Sequence, residues 1–221
     1  MKIGAVGFGN RIAHVYFELN KINPEARMVA YVDPQPIGKK FAEENNFFPS
    51  TQYKTLEDML AVEKLDLLMV GSPNHLHLEH IKIGLESGVR IFAEKPIVVN
   101  EEQSWQLAEL IKQYGRDNII VGLVLRYSQH ARSVAALIEK DQLGKIISLE
   151  ASEHIMPWHG GFFMRNWRRK AAYSGSFILE KCCHDLDFYS MVVGCRPKRV
   201  ASIGGRRSFI PENSPVLEGK K

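Results

Sequence analysis

The sequence predicts an α/β protein: a doubly wound parallel sheet followed by a smaller, incomplete α+β domain. Three observations carry this reading. Short apolar runs alternate with segments of helical spacing through residue 125. Those runs are continuously apolar, as strands covered on both faces must be. After residue 125 the rhythm changes, which divides the chain into domains at 1–125 and 126–221.

The elements follow in order. "KIGAVG" (2–7) reads as a strand, and "NRIAHVYFELNKI" (10–22) as a helix with Ile12, Val15, Tyr16 and Leu19 on one stripe. "ARMVAYVD" (26–33) is a strand, "PIGKKFAEENN" (36–46) a helix, and "FFPST" (47–51) a short connection or edge strand. "LEDMLAVE" (56–63) is a helix and "LDLLMVGSP" (65–73) a buried strand. "HLEHIKIGLESG" (77–88) is a helix that stops at Gly88. A strand at 89–93, a helix at 101–115 and a strand at 119–125 complete the first domain. In the second, residues 130–144 read as a helix, and "KIISLEASEHI" (145–155) alternates like a strand with one wet face. The aromatic, basic stretch 156–170 reads as a long loop, 175–194 as a helix, 199–209 as a strand, and the proline-containing tail as frayed. Two strands make a poor sheet alone, so association of copies through that sheet is expected.

Composition narrows the function classes. The chain has 221 residues, 45% apolar and 24% charged, which suits a globular protein. A net charge of +4 is too mild to indicate nucleic acid. Cys182, Cys183 and Cys195 have no metal-type spacing, so a reduced, cytoplasmic setting is expected. Met1-Lys2 leads straight into a strand, so no secretory leader is expected, and no apolar run approaches the ~20 residues of a membrane helix.

The strongest motif is "AVGFGN". Gly7 can make a tight turn after the first strand, and Gly9 leaves room for a pyrophosphate over the helix start at Asn10 and Arg11. The third glycine of the dinucleotide fingerprint is replaced by Ile12. Asp33 ends the second strand, 24 residues after Gly9, where a carboxylate accepts from an adenosine ribose and repels a 2′-phosphate. NAD is therefore expected, with NADP conceivable because Lys39 and Lys40 are near. Asp33-Pro34 also suits a plain turn. Ser72, Pro73, Asn74 and His77 follow another strand and would line the same crevice. His75, His77 and His80 invite a metal reading, but no carboxylate or cysteine set stands beside them, so no metal is expected. Glu94-Lys95-Pro96 ends a buried strand with a charge pair: either the strand simply leaves the sheet, with the charges in water and proline opening the loop, or Lys95 sits at the ligand-binding edge of the sheet.

Gly7-x-Gly9, "SPNHLH", Glu94-Lys95-Pro96 and "NWRRKAAYSGSFILEKCCHDLDF" together resemble the Gfo/Idh/MocA family, the NAD(P)-dependent glucose–fructose oxidoreductase and inositol dehydrogenase group. The resemblance covers residues 2 to about 209. It implies a Rossmann domain followed by an α/β domain whose large sheet often makes oligomer contacts. Such proteins usually run beyond this length, so the second domain reads as truncated.

By the same resemblance Lys95 is catalytic. A lysine there can donate to a substrate hydroxyl and stabilise a developing alkoxide. Glu180 and His184 lie four residues apart on one helix, with Asp187 a turn later. A carboxylate beside an imidazole fixes its tautomer and raises its basicity, which suits proton abstraction. The family usually has aspartate where Glu180 stands. Arg126 and Tyr127 match a position near the active site, which makes Arg126 a cofactor and substrate contact. Trp158, His159, Arg165, Asn166, Trp167 and Arg168 suit recognition of a sugar or cyclic polyol, with Trp167 and Arg168 touching it. The expected activity is hydride transfer between a nicotinamide cofactor and a hydroxyl of a sugar, cyclitol or related polyol. The alternatives are NAD-dependent glycoside cleavage through transient oxidation and a non-catalytic NAD(P)-binding regulator.

Overall fold

A computed structural model describes residues 1–47, 51–205, 207 and 210–213. Its first half is one six-stranded parallel sheet in the order β3-β2-β1-β4-β5-β6. The strands are β1 (Lys2–Val6), β2 (Arg27–Val32), β3 (Thr51–Tyr53), β4 (Leu67–Val70), β5 (Arg90–Ala93) and β6 (Ile119–Val121). Between them run α1 (Asn10–Ile22), α2 (Gly38–Glu44), α3 (Leu56–Val62), α4 (His77–Glu86) and α5 (Glu101–Tyr114). Later in the chain come the helices α6 (Gln129–Glu139), α7 (Pro157–Phe163), α8 (Ala171–Ser174) and α9 (Ser176–Val193).

Side-chain alternation explains the continuously apolar strands. Ile3 and Ala5 join Phe8, Ile12 and Tyr16 in a core under α1. Val6 turns to the other face and joins Met59, Leu68, Ile81 and Ile91 under α3 and α4. Both faces are dry, so neither can be polar. The strand order reverses at β1, whose neighbours are β2 and β4, and such a switch point opens a crevice at the carboxyl ends.

The missing third glycine has a structural answer. Ile12 is fully buried, and a Cβ on Gly71, just past β4, would lie 2.2 Å from its Cγ1. The close helix–sheet approach is thus kept, with the space supplied by the sheet rather than by the helix.

The second half departs from expectation in two places. Residues 145–155 and the described part of 199–209 form no strand, while 206, 208 and 209 lie outside the described residues. Alternation gives a strand one apolar face, but its backbone still requires a partner, and the described residues offer none there. The expected route of association through that sheet therefore has no strand pair to rest on. The stretch 156–170 is not a loop. Pro157 stands in the first turn of α7, and Phe163, 4% exposed, packs edge-on against Phe177 of α9 with centroids 5.2 Å apart. A 3-10 turn at Asn166–Arg169 follows.

Gly71→Ala should be overpacked against Ile12 and cost about 1–3 kcal/mol. Urea denaturation should show a lower midpoint with an unchanged slope.

Candidate active site

Four strand ends are in register: Val6 pairs with Val70, Val70 with Ala93, and Ala93 with Val121. The next residues, Gly7, Gly71, Glu94 and Gly122, therefore form a row along the carboxyl edge. Their amides donate to Val32, Val6, Val70 and Ala93 in turn. Gly7 has φ +80°, and a Cβ there would sit 2.2 Å from the Ser72 nitrogen. That combination admits glycine alone. At Gly9 an added Cβ would meet nothing within 4 Å, so the space above the α1 N-terminus is open. The first turn of α1 holds no acidic residue, leaving its amide dipoles uncompensated. Residues Gly7, Gly9, Asn10 and Arg11 thus fit a dinucleotide pyrophosphate.

Asp33 makes the turn and also lines a cavity. One carboxylate oxygen accepts from the Gln35 amide at 2.7 Å, closing the turn. The residue also lines a shallow cavity of about 330 Å³ with Gln52, Tyr53 and Lys54, beside the glycine turn. A ribose fits that position. Lys39 and Lys40 face Glu43 and Glu44 along α2, at 3.7 and 3.9 Å.

Glu94 is 8% exposed, its carboxylate over Gly122, where a Cβ would approach within 3.2 Å. Burial pushes its pKa up, opposed chiefly by the Arg11 guanidinium at 3.2 Å. Next to it, across a cis peptide bond from Pro96, Lys95 enters a cavity of about 490 Å³. His184, Glu180 and Arg168 line the same cavity, so Lys95 and His184 share one space although 89 residues separate them. Lys95 Nζ donates to the main-chain carbonyl of Glu180 at 2.7 Å. Burial lowers the lysine pKa, and the neighbouring Cys183 thiol with Glu180 and Glu94 opposes the drop.

Two expectations about α9 are corrected. Glu180 does not orient His184. Its carboxylate turns to Arg168, 3.3 Å away, because a guanidinium is a stronger partner for a buried acid than a neutral ring. Burial raises the Glu180 pKa, and Arg168 leads the opposing effects. Nor is the imidazole made more basic. Burial and then the charges of Lys95, Lys181 and Arg11 push His184 down to about 4. Its Nδ1 is buried without a hydrogen-bond partner. The ring is therefore neutral at pH 7, and its one unprotonated nitrogen can accept.

Arg126 is also placed differently from expectation. Its Nε and Nη2 donate to the two Asp187 oxygens at 2.6 and 2.7 Å, a bidentate pair 61 residues apart in sequence. It fastens α9 to the 3-10 turn after β6 rather than lining the cavity. Asn74 lines the cavity and donates to the Ser174 carbonyl at 3.1 Å, tying the crevice to α8. Ser72 lines it too, its hydroxyl 2.9 Å from His80 Nδ1. Pro73 caps the 3-10 turn that opens into α4. His77 is 1% exposed with both ring nitrogens against backbone carbonyls, so its ring has no free polar atom for a cofactor. His75 packs against Tyr173, with ring centroids 4.6 Å apart and the rings tilted by 32°.

The aromatic segment supplies walls. Trp167, His159, Phe162 and Phe163 line the cavity, while Trp158 is 72% exposed. Arg168 is held with its guanidinium carbon 4.2 Å from the Phe162 ring and 4.4 Å from the Trp167 ring. Sequence reasoning missed Glu153 and Lys181, which also line the cavity, with Lys181 Nζ 2.5 Å from Glu153 and 3.4 Å from Asp185. Lys181 stands three residues before His184, so helical spacing could have found it. Nothing in the local pattern marks Glu153.

Comparison with known proteins follows this geometry. The family model described as "Oxidoreductase family, NAD-binding Rossmann fold" matches residues 1–141, and the GFO/IDH/MocA C-terminal domain model matches 131–214. An inositol 2-dehydrogenase of Corynebacterium glutamicum is 26% identical over 197 residues, 89% of this chain and 55% of that protein. A 2,7-anhydro-N-acetylneuraminate hydratase of Mediterraneibacter gnavus is 27% identical over 191 residues, 85% of this chain and 49% of that one. The chain spans about half the length of these relatives. The crystal structure of scyllo-inositol dehydrogenase from Lactobacillus casei with NAD(H) and scyllo-inositol shares the fold. Its TM-score is 0.69 at 24% identity, covering 88% of this chain and 56% of that one.

Removing the lysine charge tests the electrostatics. Lys95→Met takes away a cation that disfavours the imidazolium, so His184 should titrate higher than about 4. Two-dimensional ¹H–¹⁵N spectra of the ring against pH should read the shift. An unmoved midpoint would contradict the close approach of the two groups.

Proposed function

The chain belongs to the GFO/IDH/MocA oxidoreductase family, and from that premise we propose that it acts as an NAD-dependent dehydrogenase on a hydroxyl of a sugar, cyclitol or related polyol. The observation that carries the reading is the meeting of Lys95 and His184 in one cavity at the carboxyl edge, beside an open glycine turn. The bound dinucleotide supplies the hydride acceptor. Lys95 donates to the substrate oxygen and stabilises the charge that develops there. His184, neutral at pH 7, accepts the hydroxyl proton at a ring nitrogen. Its low pKa makes it a weak base in the free protein, and negative charge gathering on the substrate oxygen would raise it. Arg168 and Glu180 offer a donor and an acceptor to further hydroxyls, and the aromatic rings cover the apolar face of a sugar or cyclitol. Asp33 favours NAD over NADP. The domain boundary at residue 125 and association of copies belong to the same reading, the latter supported by exposed Ile147, Trp158, Ile178 and Val200.

A second reading is favoured by the relative named a hydratase, since hydration involves no net oxidation. In that case a bound NAD would take up a hydride and return it within one turnover, leaving no net reduced cofactor.

A panel of inositols, sugars and anhydro sugars with NAD and with NADP separates these. Reduced cofactor accumulating at 340 nm supports the dehydrogenase. Product formed without it supports transient oxidation, and neither outcome on any substrate counts against both. Lys95→Ala should lower turnover by ~10²-fold or more. His184→Ala should lower it by ~10²–10⁴-fold, with NAD binding little changed in both.

A further inference from the structure

We propose that His77 is a positioning residue for Lys95: its buried imidazole fastens the main chain from which the lysine side chain departs. The ring lies at the first residue of α4 and is 1% exposed. Its Nδ1 lies 2.9 Å from the carbonyl of Pro96, and its Nε2 lies 2.7 Å from the carbonyl of Ser72. One side chain therefore spans the turn after β4 and the turn after β5. These turns carry Ser72 and Lys95, both at the cavity.

The two contacts are not equivalent. Ser72 has a second anchor on the same helix, because His80 Nδ1 meets its hydroxyl at 2.9 Å. Among the described residues, His77 is the side chain that meets the Pro96 carbonyl. A neutral imidazole has one N–H, and the nitrogen that carries it decides which turn is held firmly. Lys95 precedes Pro96, so the bond to the Pro96 carbonyl fixes the chain one residue beyond the lysine. With that end fixed, Nζ can hold the Glu180 carbonyl at 2.7 Å. Released, the lysine is free to swing toward solvent.

The inference rests on reading Lys95 as the cation of the active site. Its test reads the lysine's own titration rather than turnover, so a chain inactive on every alcohol still answers it. Two substitutions dissect the ring. The amide nitrogen of His77→Asn stands near the former Nδ1 and keeps a donor for Pro96. That of His77→Gln stands near the former Nε2 and keeps a donor for Ser72. Each protein is acetylated with an N-hydroxysuccinimide ester across the alkaline range, and modification of Lys95 is followed by peptide mass spectrometry. Wild type and His77→Asn should share one midpoint, below that of an ordinary lysine. His77→Gln should move it up by about half a pH unit or more, as the lysine leaves its buried place. An unmoved midpoint in His77→Gln, or an equal shift in both variants, overturns the proposal. Should neither variant fold, the ¹⁵N shifts of the wild-type ring decide. A proton on Nδ1 supports it, and a proton on Nε2 alone overturns it.

Discussion

Everything at this site depends on four strands ending level. Because β1, β4, β5 and β6 stop at paired residues, the chain emerges from the sheet along one line. Three of the four emerging residues are glycine, and the fourth is Glu94. The glycines clear the ground into which the glutamate, the lysine and the cofactor must fit. A slip of one residue in β5 would turn Lys95 to the opposite face of the sheet. Hydrophobic burial on both faces prevents that slip, so the core that stabilises the fold also sets the aim of Lys95.

The second governing influence is charge. Arg11, Lys95, Arg168 and Lys181 crowd one cavity, and Glu94, Glu180 and Glu153 answer them. Three of the cations are matched to carboxylates: Arg11 with Glu94, Arg168 with Glu180, and Lys181 with Glu153 and Asp185. Lys95 is the exception, since it takes a carbonyl dipole instead. Burial first, and then the charges of Lys95, Lys181 and Arg11, keep the His184 ring neutral. A neutral ring and a charged lysine are a complementary acceptor and donor for one hydroxyl.

The sheet was legible because burial on two faces leaves a continuous apolar signature, and α1 was legible because its stripe is strict. The glycine turn was legible because its backbone admits glycine alone, and the meeting of Lys95 with His184 in one cavity because motif resemblance placed both at the crevice. Partner choice was not. Glu180 and His184 share a helix face, yet Arg168 draws the carboxylate away. Arg126 was expected at the cavity and instead grips Asp187. These outcomes are decided by segments far apart in sequence, and helical spacing carries no information about them. The alternating pattern of 145–155 failed for a related reason, because a strand is a property of two segments and the pattern describes one.

The bond from Lys95 to residue 180 has an evolutionary consequence. It is made to the main chain, and every amino acid presents the same carbonyl. The lysine's anchor therefore does not constrain the side chain at that position. A glutamate can stand there, reach sideways to Arg168 and reshape the far wall of the cavity, while Lys95 keeps its place. Anchoring on the backbone separates the placing of the lysine from the choice of side chain at the cavity's far wall. Mutation can then vary that wall one side chain at a time without first unfastening the lysine.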